Sequence, residues 1–122
     1  MPMNDIPSLI DAYIATWNEG NPERRRALVA QTFTEDGSYV DPLMTGAGQD
    51  GIDAMIAGAQ QQFPGHRFEL AGEPDSHNDR VRFTWHLKPV GGEDVVAIGY
   101  DFGVVAEDGR LRSVTGFLEQ AA

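Results

Sequence analysis

The hydrophobic period of this chain changes once, at Pro64-Gly65, and that switch constrains the fold more than any other feature. Ahead of it, Ile6, Leu9, Ile10, Tyr13, Ile14 and Trp17 recur at spacings of three and four, which paints one apolar stripe on a helix. Gly20 ends that helix. Asn21 then caps a second one with Pro22 at its first position, and Leu28, Val29 and Phe33 supply its buried face. Asp36-Gly37 reads as a break, and Ser38 to Asp41 as a short strand stopped by Pro42. Gly46, Gly48 and Gly51 mark a loop before Ile52, Met55, Ile56, Ala59 and Phe63 trace a third helix.

Beyond the switch the period is two. Phe68 and Leu70 alternate with charged neighbours, and Val81, Phe83, Trp85 and Leu87 alternate with Arg82, Thr84, His86 and Lys88. Turns at Gly91-Gly92 and Asp108-Gly109 complete the pattern of a four-stranded antiparallel meander. Helices first and a sheet afterwards is an α+β order. A length of 122 residues, with no repeat, linker or low-complexity segment, predicts one domain over 1–122.

Charge narrows the partners. A formal charge of −10 argues against nucleic acid and anionic membranes, because phosphate binding needs clustered Lys and Arg. The one basic run, Arg24-Arg25-Arg26, falls near a helix start and reads as a solvated face. With no cysteine, disulfides, thiolate nucleophiles and cysteine-ligated metals are excluded. No apolar leader core and no run of about 20 apolar residues occurs, so a cytoplasmic location is the expectation. His66, His77 and His86 match no ligand spacing, which predicts no metal site. Gly46 to Gly51 follows no long strand and lacks the lysine of a phosphate-cradling loop.

Proton-transfer chemistry falls to Tyr13, Asp41 and Asp101. Tyr13 lies in the stripe of the first helix, so its ring faces the core and its hydroxyl needs a partner, catalytic or structural. Asp41 precedes Pro42, where a carboxylate either caps nearby amides or stands free as a base. Asp101 alternates with Ile98, Tyr100, Phe102 and Val104, and periodicity alone would turn it to solvent. Against that, its same-face neighbours Gly99 and Gly103 leave empty volume around the carboxyl, as a cavity floor would.

The contexts Ala12-Tyr13-Ile14-Ala15, Ser38-Tyr39-Val40-Asp41-Pro42 and Gly99-Tyr100-Asp101-Phe102-Gly103, in that order, resemble ketosteroid isomerase and the SnoaL-like, polyketide-cyclase-like proteins of the nuclear transport factor 2-like superfamily. The resemblance runs from about Ile6 to Leu118. It implies a cone-shaped, cystatin-like fold in which three helices pack on a strongly curved antiparallel sheet and enclose a pocket. It also implies a cofactor-free site, with Asp41 as general base and Tyr13 with protonated Asp101 donating hydrogen bonds to an oxyanion. Trp17, Met55, Phe83, Trp85, Leu87 and Leu118 would then wall a pocket for a small apolar carbonyl compound. Ile56 and Leu118 stand where the isomerase carries a second tyrosine and a pocket tryptophan, which weakens the case for a steroid. A non-catalytic binding or interaction module is the alternative. If Asp101 points into the cone, the opposite row needs cover, which predicts a homodimer through the convex face, with Thr84, His86, Thr115 and Phe117 joining it.

Overall fold

The computed structural model describes residues 5–120. Helix α1 spans Ile6–Asn18, started by Asp5, whose carboxylate accepts the Ser8 amide at 2.8 Å. Its buried stripe holds Leu9, Ile10, Tyr13, Ile14 and Trp17. Helix α2 spans Pro22–Thr32, with the Asn21 side chain accepting from the Arg24 amide at 3.0 Å. Leu28 is only half-buried on it, and Val29 carries the apolar contact.

The solvated reading of Arg24-Arg25-Arg26 fails at its middle residue. Arg24 and Arg26 are exposed, but Arg25 is buried against Asp53 of the third helix, Nε to Oδ1 at 2.8 Å. Arg25 also donates to the Glu19 carbonyl, and Gln60 donates to the carbonyls of Trp17 and Glu19 at 3.0 and 2.9 Å. The freed carbonyls at the end of α1 thus find donors from two other elements, which ties the three helices together.

Helix α2 passes into strand β1, Phe33–Val40, with no loop between them. Phe33 is buried as expected, but as the first strand residue and not on the helix. The break expected at Asp36-Gly37 is instead an irregularity inside β1, where the pairing register shifts between Phe33 and Ser38. A Cβ on Gly37 would lie 3.0 Å from the Thr34 carbonyl oxygen, so any larger residue there would crowd the bulge. Asp41 falls just past the strand, not within it. The glycine-rich stretch read as a loop contains strand β2, Thr45–Ala47, and the start of helix α3, Gly48–Gln62. Short strands with no side-chain alternation leave no periodic signal to read.

Strands β3 (His66–His77), β4 (Arg80–Pro89), β5 (Ala97–Val105) and β6 (Leu111–Gln120) form the meander. The sheet has six strands in the order β2-β1-β6-β5-β4-β3 and is open at both edges. It is mixed, because β1 lies parallel to β6 while every other pair is antiparallel. Connectivity permits the parallel pairing, because β1 and β6 are far apart in sequence and share no hairpin. The face turned to the helices carries the alternating set Phe83, Trp85 and Leu87 on β4 and Asp101 on β5. No helix among the described residues is long and apolar enough to cross a membrane.

Candidate active site

Asp101 faces inward. It is 1% exposed, while Tyr100 and Phe102 on either side are 37% and 48% exposed, so β5 turns its polar residue to the core and its aromatics to water. Its Oδ2 accepts from the Tyr13 hydroxyl at 2.9 Å and from the Trp85 indole N–H at 3.0 Å. Its Oδ1 is buried and has no hydrogen-bond partner among the described residues. Burial pushes the Asp101 pKa from 3.8 up to about 7, against the pull of the hydrogen bonds from Tyr13 and Trp85, and the Asp41 charge adds to the rise. Tyr13 is raised well above 10, first by burial and then by the Asp101 charge.

The glycines beside Asp101 serve packing and not an empty floor. A Cβ on Gly99 would lie 2.0 Å from Trp85 Cε2, so the indole lies across the bare backbone and in that position reaches Asp101. A Cβ on Gly103 would lie 2.9 Å from Leu111 Cδ2.

Asp41 sits near Asp101 on the same side, across Gly116, where a Cβ would lie 2.7 Å from Asp101 Oδ1 and 3.2 Å from Asp41 Cβ. Its Oδ1 accepts the amides of Leu43 and Met44 at 2.8 and 2.9 Å, the turn-capping arrangement its Asp-Pro context predicts. Its Oδ2 accepts from the Tyr39 hydroxyl at 2.6 Å. Tyr39 is 2% exposed, and burial, then the Asp101 charge, drives its pKa far up. Sequence reasoning passed over Tyr39, although strand alternation places positions 39 and 41 on one side.

A cavity of about 380 Å³ opens beside this face, between the helices and the sheet. Trp17, Trp85, Leu87 and Leu118 line it, as do Tyr39 and Asp41. Its aromatic wall is continuous: Trp17 meets Tyr39 and Phe68 with ring centroids 5.4 Å apart in both cases, and Phe68 meets Trp85 at 5.1 Å. Phe63 and His66 also line it, and neither was read as a pocket residue from the sequence. Met55 and Phe83 are core side chains that do not line this space. Tyr13 and Asp101 do not line it either. They lie behind the wall, the phenol bonded to the carboxyl, so neither offers a proton to the cavity in this arrangement. Among the described residues no group of three or more His, Asp and Glu side chains could hold a metal ion.

Three helices packed on one face of an open six-stranded sheet give the fold of structures described as cystatin-like and nuclear transport factor 2-like. The chain belongs to the SnoaL-like domain family, whose sequence model matches residues 10–114. A candidate isomerase of the SnoaL-like family from Agrobacterium tumefaciens strain C58 is 50% identical, with 92% of this chain and 95% of that one covered and a TM-score of 0.87. Two others share the fold at low identity. One, from Catenulispora acidiphila, has a ketosteroid isomerase-like fold and holds trimethylamine (19% identity, 92% and 85% covered, TM-score 0.71). The second is a candidate SnoaL-like polyketide cyclase from Jannaschia (14% identity, 98% and 91% covered, TM-score 0.69). No protein of curated function matches the chain.

Proposed function

We propose that this protein is an acid/base isomerase or cyclase that acts on a small, largely apolar carbonyl compound with its own side chains. The observation that carries this reading is the Asp41 carboxylate set in the wall of an aromatic-lined cavity. Two amides and one phenol orient it, and the second lone pair of Oδ2 stays free to take a proton. Asp41 removes a proton α to the carbonyl, the C–H electron pair moves into the enolate, and the proton is returned to another carbon. Tyr13 and Asp101 act behind the wall as a buried hydrogen-bonded pair that completes the polar side of the site. Membership of the SnoaL-like family and the candidate-isomerase relative at 50% identity support the class.

The test is Asp41→Asn against wild type on a panel of enones and polyketide-like ketones. The expected outcome is a fall of about 10²–10⁴-fold in kcat/KM. Equal turnover by both proteins overturns the assignment. One observation favours a non-catalytic binding module: Tyr13, Tyr39 and Asp41 each already make a structural hydrogen bond. On that reading ligand binding survives in Asp41→Asn and no substrate is turned over by either protein.

We infer further that the protein is a homodimer through the convex face of the sheet. Phe102 and Phe117 stand there edge to face at 6.1 Å, 48% and 54% exposed, with Tyr100 beside them. Thr84 and Thr115 pair with Tyr100 and Phe102 on the same surface. A contiguous exposed aromatic patch is rare on soluble monomers and is covered when two copies meet about a two-fold axis.

A further inference from the structure

The polar side chains that line the cavity offer acceptors and no free donor. Asp41, once ionised, can only accept, and one lone pair of its Oδ2 stays open. Tyr39 spends its one proton on that carboxylate. His66 holds Nδ1 3.0 Å from the Pro64 carbonyl oxygen. A carbonyl only accepts, so Nδ1 carries the proton and Nε2 of the neutral ring is left with a lone pair. Exposed Glu119 is a second carboxylate, and Tyr100 donates to it.

The donors around the cavity are committed or covered. The Trp85 indole N–H goes to Asp101, and Tyr13 donates to the same oxygen behind the wall. The Trp17 indole N–H is buried and presents no surface to a ligand. The amides of Leu43 and Met44 go to Asp41, and that of Val96 goes to the Leu87 carbonyl. Among the described residues no lysine or arginine lines the space.

A compound whose only polar atom is a carbonyl oxygen therefore meets acceptor with acceptor, and an anion is repelled by Asp41. A cation complements the wall in two ways, because the carboxylate attracts its charge and aromatic rings receive it on their π faces. Trp17, Tyr39, Phe68 and Trp85 supply those rings. Their planes meet at 56°, 57° and 73°, so no pair buries its faces in parallel stacking. A space of about 380 Å³ with this apolar wall also takes alkyl groups, which a bare metal ion lacks.

We propose that the ligand of this cavity is an organic cation, an alkylated ammonium carried by the small carbonyl compound on which Asp41 acts. The carbonyl part rests on the proposed role of Asp41 as base; the cationic part rests on the wall alone. The ammonium lies against the rings and makes or breaks no bond. Held close to the reacting carbon, its charge offsets that of the enolate formed when Asp41 takes the α proton, a task for which the wall has no side-chain donor.

Calorimetric titration with two compounds of one shape tests this without turnover. The pair is meta-hydroxyphenyltrimethylammonium and meta-tert-butylphenol, which differ only in a positive nitrogen for a neutral carbon. Wild type is expected to bind the cation at least about tenfold more tightly than the phenol. Asp41→Asn is expected to bring that ratio close to one. Phe68→Leu, which keeps apolar bulk and removes a ring, is expected to weaken binding of the cation more than of the phenol. Equal or tighter binding of the phenol by wild type overturns the inference, as does binding of neither compound or a preference that both variants retain in full. Asp41-dependent turnover of a neutral ketone with no preference for the cation refutes only this inference. Preference for the cation with no turnover of any carbonyl compound refutes only the enzymatic reading.

Discussion

A carboxyl enclosed by Tyr13, Trp85 and Gly116, with no cation beside it, is better accommodated as an acid than as an anion, because burial removes the water that would solvate the charge. The linkage follows in sign. The folded pKa, about 7, lies above the unfolded 3.8, so between those values the folded state holds a proton that the unfolded chain has lost. Stability therefore falls as pH rises through that window and levels off above it, by a total on the order of 4 kcal/mol. Urea midpoints at pH 5 and pH 8 measure the fall. Asp101→Asn is expected to abolish most of it and to leave the pH 8 stability unchanged or improved. A slope that survives the substitution, or a strong loss of stability at pH 8, would show that the carboxylate serves as a structural anion.

At the scale of the elements, the site depends on strands β4 and β5 pairing in one register. Trp85 lies opposite Gly99 and Phe83 opposite Asp101, and only a residue without a Cβ lets the indole cross to the carboxyl. Gly99→Ala puts a methyl 2.0 Å from the indole, against an aromatic ring fixed between β5 and Phe68. The expected cost is about 1–3 kcal/mol in chemical denaturation, with a shifted tryptophan emission as Trp85 leaves Asp101. An unchanged midpoint and spectrum would mean that the indole has room to move aside. Much of this level was legible in the sequence, since α1, the capped start of α2 and the meander all follow from period and punctuation. Strands β1 and β2 were harder to read. β1 pairs with β6, which is distant in sequence, β2 is a three-residue edge strand on β1, and a bulge and three glycines erase the alternation that would have marked them.

For the whole molecule, the orientation of Asp101 decides the surface. With β5 turned so that its carboxyl is inside, Tyr100, Phe102 and, from β6, Phe117 must lie outside. Sedimentation at micromolar concentration is expected to give a dimer, and Phe102→Lys a monomer that keeps its far-UV spectrum. A wild-type monomer would sink the interface. The Arg25–Asp53 pair shows the same dependence on assembly, for a residue in an apparently solvated run becomes buried once α2 docks on α3.

Local physics in the chain determined the helices, the switch to strands, the cap residues and the three polar side chains able to move protons, because these follow from periodicity and side-chain chemistry within a few residues. Tertiary structure alone decided which of them meet the cavity. Tyr13 and Asp101, 88 positions apart, are joined by one hydrogen bond and withdrawn behind Trp85, while Asp41 and Tyr39 stand at the wall. That outcome rests on register and on the missing Cβ atoms of Gly99 and Gly116. Whether a glycine holds a void or an indole depends on what the opposite strand brings to it.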